Sequence, residues 1–173
     1  MRALMIIDVQ QGMFTFPGFP PHDGEATVKR IAGLLSRARR SGTPVFFVQH
    51  DGGDDEALSA KGPGFPFRAE LTPEGNESVT VKRLCNAFQE TDLERTLKRA
   101  DIDELVVCGM QTEFCVDTAI RAAHERGFKV TLVSDGHTTF NSKAIPAEKI
   151  IAHHNATLGS GFATLKRADE IAF

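Results

Sequence analysis

The chain has 173 residues, enough for one domain, with 41% hydrophobic and 25% charged residues, the balance of an ordinary globular protein. A formal net charge of -3 gives no electrostatic case for a nucleic-acid or anionic-membrane partner. Three cysteines at unrelated spacings argue against a disulfide framework and for a reducing, cytoplasmic setting.

The opening MRALMIIDVQ breaks its apolar run at Asp8, which suits neither a secretion signal nor a membrane span and predicts a strand over Ala3 to Asp8. A loop rich in Gly, Phe and Pro follows. Val28, Ile31, Leu34, Leu35 and Ala38 then mark one face of a helix ending near Gly42. Pro44 opens a second strand, VFFVQ. The stretch from His50 to Gly75 reads as a long connection of the kind that forms lids or oligomer contacts. Its Phe65 and Phe67 are expected to be exposed in the monomer and buried against another subunit, as in a dimer or tetramer. SVTVKR forms the third strand, and Thr91 with Glu94 has the spacing of a capping box for the helix carrying Leu93 and Leu97.

The apolar run Leu105 to Cys108 leads through Gly109 into a short turn. Thr112 and Cys115 then open a helix with Ala119, Ala122 and Ala123 along it, stopping at Gly127. KVTLV is a fifth strand leading to Asp135; Pro146 begins a helix closed by Gly159, and Phe162 to Leu165 reads as a last strand. Apolar strands alternating with amphipathic helices predict an α/β fold in three layers. Its six-stranded, mainly parallel sheet is covered by helices on both faces, in one domain over residues 1–173.

Three reactive side chains, Asp8, Lys82 and Cys115, fall at the carboxyl ends of strands, where an open α/β sheet binds its ligands. A thiol in a first helical turn faces partial positive charge and unpaired N–H groups, which favour a thiolate and can hold an oxyanion. Asp8, partly desolvated, is suited to take the thiol proton, and Lys82 to pair with the carboxylate and stabilise the thiolate. Taken singly, each has a bland reading: a cap, an edge charge, a small buried residue. Together at one sheet edge they are far more specific. Gln10, Phe14 and Phe88 fall near the expected pocket as substrate-binding candidates. Gln10 either bonds substrate or ties down its loop, and Phe14 either stacks on a planar substrate or anchors that loop. Cys108 reads as core, and Cys85 has no assigned role. No Gly-rich phosphate-binding motif is present, so no nucleotide cofactor is expected.

DVQ at Asp8, VKR followed by NAF and TDL, and VVCGMQTEFCVDTAIRAAHERGFKVTLVSDG together resemble the isochorismatase-like cysteine hydrolases, which include nicotinamidases and N-carbamoylsarcosine amidases. The resemblance covers nearly the whole chain, and its G-x-x-T-x-x-C-V element is the most specific part. It implies a Rossmann-like sheet, a catalytic triad of Asp8, Lys82 and Cys115, and a cis peptide at Met110–Gln111. It also implies an oxyanion hole from the backbone N–H groups of Gln111 and Cys115, a small-molecule substrate and a homo-oligomer. Nicotinamidases bind a metal through a D-x-H pattern after the second strand. This chain has VQHDGGDD there, so His50 reads as a loop histidine and no metal or other cofactor is expected. The retained cysteine favours cleavage of an amide, ureido or similar C–N bond through a thioester. The alternatives are vinyl ether hydrolysis, nicotinamide hydrolysis, a redox-sensing thiol and a catalytically idle scaffold.

Overall fold

The computed structural model describes residues 1–16, 18–54 and 57–173. Its strands are β1 (Arg2–Ile7), β2 (Val45–His50), β3 (Ser78–Lys82), β4 (Glu104–Met110), β5 (Lys129–Thr138) and β6 (Thr164–Lys166). The helices are α1 (Gly24–Ser41), α2 (Leu93–Arg99), α3 (Asp117–Glu125) and α4 (Ala147–Gly159). The strands form one sheet in the order β3-β2-β1-β4-β5-β6, with every neighbouring pair parallel. Strand order therefore reverses between β1 and β4, and a crevice opens outside their carboxyl ends.

Central strands buried on both faces need apolar side chains in both directions, which is why β1 reads ALMII without alternation. Leu4, Ile6, Phe47, Val106 and Val133 face Val28, Ile31, Leu34 and Leu35 of α1. On the other face Met5, Ile7, Val48, Leu105 and Val107 meet Leu93 and Leu97 of α2, Ala119 and Ile120 of α3, and Leu158 of α4. Each fully buried aliphatic side chain contributes roughly 1.5–3 kcal/mol, so the two layers fix the register of the strands that carry the site.

Gly109 is required for that register. Its φ is +130°, and a Cβ there would lie 2.1 Å from the carbonyl oxygen of Ile7, so any side chain would push β4 away from β1.

Some elements differ from the sequence expectation. β5 continues through Asp135 to Thr138, because after a register shift between Val107 and Gly109 it resumes pairing with β4 at Gly109 and Met110. The last strand is Thr164–Lys166. No capping box forms at α2: the Thr91 hydroxyl donates to the carbonyl of Ala87 and accepts from the Leu93 N–H, while Glu94 pairs with Lys98 and Arg126. Phe67 is buried against Phe47, with ring centroids 5.2 Å apart, and Phe65 is half-buried. The long connection thus folds its phenylalanines largely into its own chain, and they give no argument for a subunit contact. Among the described residues no helix is long and apolar enough to cross a membrane.

Candidate active site

β1, β3 and β4 deliver Asp8, Lys82 and Cys115 to the same crevice. Asp8 follows β1 with φ at 52°, the left-handed region that few side chains occupy except Asn and Asp. That turn of the backbone comes where the carboxylate is completely buried. Lys82 is the last residue of β3, and its ammonium lies 2.7 Å from Asp8 Oδ2, 3.2 Å from Cys115 Sγ and 3.2 Å from His50 Nδ1. One buried cation therefore faces both the carboxylate and the thiol. At 2.7 Å the Asp8–Lys82 contact is a close ion pair, with both side chains out of reach of solvent.

Burial is the dominant influence on all three groups. It lifts the Asp8 carboxyl above the ordinary aspartate range, although Lys82 pulls the other way. It opposes charge on Lys82, but Asp8 and Cys115 more than offset this and hold the ammonium above the usual lysine range. It also pushes the Cys115 thiol up, and the Asp8 charge adds to this against the pull of Lys82. Burial thus favours the neutral thiol, against the pull toward thiolate expected from a helix start and from Lys82. The Asp8 carboxylate and the Lys82 ammonium are the charged groups beside that sulfur.

Cys115 does not lie in the first turn of an ordinary α-helix. Thr112–Val116 form a wider π-turn, with the Val116 N–H donating to the carbonyl of Gln111 at 3.1 Å, and α3 continues from it. Such turns are frequent at functional sites. The peptide bond between Met110 and Gln111 is cis. Behind the turn, the buried Thr112 hydroxyl meets His137 Nδ1 at 2.8 Å, and His137 Nε2 meets Asn155 Oδ1 at 3.0 Å. The amide nitrogen of Asn155 donates to the Ser134 carbonyl, so its oxygen faces the ring. His137 consequently carries its proton on Nε2 and accepts from Thr112 on Nδ1. Burial lowers its pKa to about 4, so the ring is neutral at physiological pH.

A cavity of about 390 Å³ opens over this cluster. Its floor holds Asp8, Cys115, His50 and Gln111; its walls are Met13 and Phe16 from the segment after β1, Ala57 and Leu58 from the long connection, and Phe114 and Cys85. Gly12 lets the two wall segments meet, since a Cβ there would lie 2.6 Å from the Ala57 carbonyl oxygen. His50 is thus no detached loop histidine: it ends β2 and contacts Lys82. The sequence pattern missed Met13, Phe16, Leu58 and Phe114. Their positions depend on how two irregular segments pack.

The three substrate-binding candidates stand elsewhere. Gln10 is buried, and its side chain donates to the carbonyls of His50 and Phe65 and accepts the His50 N–H. It therefore ties the two loops together. Phe14 lies under the Arg68 guanidinium, 4.4 Å from its ring centroid. Phe88 belongs to the helix-side core, near Phe128. None of these three is among the residues that line the cavity.

A divalent ion of the kind nicotinamidases hold finds no matching donor set among the described residues, where no group of three or more His, Cys, Asp or Glu could hold a metal. Asp51, beside His50, already accepts from the backbone of Gly53 and Ala60 and from Arg83.

A family model described as Isochorismatase domain matches residues 2–157. The chain is 33% identical over 173 residues to the uncharacterized isochorismatase family protein YddQ of Bacillus subtilis, covering 96% of each. It is also 33% identical over 146 residues to a streptothricin hydrolase of Streptomyces noursei, covering 84% of this chain and 52% of that one. Among solved structures, an isochorismatase from Pseudomonas putida KT2440 superposes with a TM-score of 0.93 at 32% identity, covering 99% of this chain and 90% of that one. With the parallel sheet and the buried Asp8–Lys82–Cys115 cluster, these matches define an α/β hydrolytic enzyme. The chain belongs to the isochorismatase family of hydrolases.

Proposed function

We propose that the protein hydrolyses a C–N bond of a small amide, ureido or related compound through a thioester, with Asp8, Lys82 and Cys115 as the catalytic triad. The observation that carries this reading is the buried ammonium of Lys82 placed between the Asp8 carboxylate and the Cys115 sulfur, under a cavity of small-molecule size.

Cys115 Sγ attacks the substrate carbonyl carbon as its proton passes to Asp8. The carbonyl π electrons move to oxygen, and the backbone N–H groups of Gln111 and Cys115 are the donors assigned to that oxyanion. On collapse the C–N bond breaks, and Asp8 gives its proton to the leaving nitrogen. A water then attacks the thioester with Asp8 as base, releasing the acid and returning the proton to sulfur. Lys82 keeps the carboxylate ionised in a site whose burial would otherwise neutralise it. A side-chain nucleophile and backbone oxyanion donors leave no step that needs a Lewis acid, so activity is expected to survive chelation.

The test is an ammonia- or amine-release screen with denaturing mass spectrometry of quenched reactions. Expected are release by the wild type, a covalent acyl adduct on Cys115 and no turnover by Cys115→Ala. Turnover retained in Cys115→Ala would sink the mechanism.

A further inference from the structure

Resting on the hydrolase reading, we infer that the cavity selects a neutral amide with a small apolar acyl group and rejects acyl groups that carry a carboxylate or phosphate. The side chains above the reacting cluster are Met13, Phe16, Leu58 and Phe114, with Ala57 between the two wall segments. Among the described lining residues there is no arginine or lysine. Lys82 is fully buried and already faces Asp8 and Cys115, and His50, the histidine on the floor, contacts that ammonium. Arg83, next in the chain, is paired with Asp51, and Arg68 with Glu25.

An acyl chain bound in this space lies against thioether, aliphatic and aromatic surface. A carboxylate on that chain would lose water without meeting an arginine or lysine, and it would sit in the field of the Asp8 carboxylate. The size of the cavity and the half-exposed rings of Phe16 and Phe114 at 39% and 50% set the shape of the site: an open apolar mouth over a polar floor. The amide is recognised on the floor, and the acyl group is recognised by the walls.

The experiment compares butyramide with succinamate, which has the same carbon chain but ends in a carboxylate, by kcat/KM for ammonia release. A preference of at least 100-fold for butyramide is expected from the wild type. Two variants add a cation to the wall, Leu58→Arg and, at the partly exposed mouth where folding tolerates it, Phe16→Arg. Each is expected to narrow the preference at least tenfold by raising kcat/KM for succinamate. Equal or better hydrolysis of succinamate by the wild type overturns the inference while leaving the hydrolase reading standing. Two folded variants that leave the preference unmoved also overturn it. If neither amide, nor any other in the panel, is hydrolysed and no adduct forms on Cys115, the hydrolase reading falls and takes the inference with it.

Discussion

Lys82 and Cys115 stand side by side in the site but differ in what their removal does to the fold. The ammonium of Lys82 is the partner of a fully buried carboxylate, so Lys82→Ala leaves Asp8 either charged without a partner or forced to take up a proton. That change is expected to cost about 3–5 kcal/mol of stability as well as the activity. Cys115→Ala removes only a sulfur at the cavity floor and is expected to cost roughly 1 kcal/mol or less. Urea denaturation of the two variants measures the difference, and equal stabilities would contradict a charged Asp8 in the resting protein. Adding Asp8→Asn to Lys82→Ala removes the orphaned charge, and part of the lost stability is expected to return. Activity is expected to fall on the acid side as Asp8 becomes protonated. Because burial raises its pKa, the limb should lie above the range of an ordinary aspartate.

The turn that carries Cys115 is held from behind by β5 and α4 through His137 and Asn155. His137 titrates near 4 when folded and near 6.5 when unfolded, so between those values the unfolded chain binds the extra proton. Stability is therefore complete above about pH 6.5 and declines as pH falls toward 4, by at most roughly 3 kcal/mol from this residue. The expected measurement is a urea midpoint that drops over this window in the wild type and drops less in His137→Gln. This network also shows what a sequence can and cannot display. The strands and helices were legible because burial on both faces writes itself into runs such as ALMII and LVVCG. The meeting of Asp8, Lys82 and Cys115 was legible because each stands at or just beyond the carboxyl end of a strand. The polar continuation SDGHT of β5 shows no apolar pattern, since its pairing resumes only after a register shift in β4. Thr91 and Glu94 had the spacing of a cap, but each found a better partner across space. The cavity walls, and the release of Gln10, Phe14 and Phe88 from them, depend on two loops meeting at Gly12, which no local pattern encodes.

On the scale of the molecule, β3 closes one edge of the sheet and leaves Val79 and Val81 exposed at 42% and 50% on the α1 side. Two solvent-facing valines on an edge strand are an unfavourable surface for an isolated chain. Self-association is therefore still proposed, carried by this edge in place of Phe65 and Phe67. Light scattering is expected to give a mass above that of the 18.9 kDa chain, shifted toward the monomer by Val81→Lys. A strict monomer at micromolar concentration removes the proposal.

The strand order has one more consequence, in how the enzyme loses activity on warming. Asp8 and Cys115 hang from β1 and β4, which are paired on both sides, whereas Lys82 hangs from β3, which is paired on one side only. Edge elements open locally at lower free energy than the centre of a sheet. Fraying of Ser78–Lys82 would withdraw the ammonium and leave a largely intact fold with a disarmed nucleophile. Amide hydrogens of β3 are expected to exchange with deuterium faster than those of Leu105 to Met110, and reversible thermal inactivation should begin below the global melting transition.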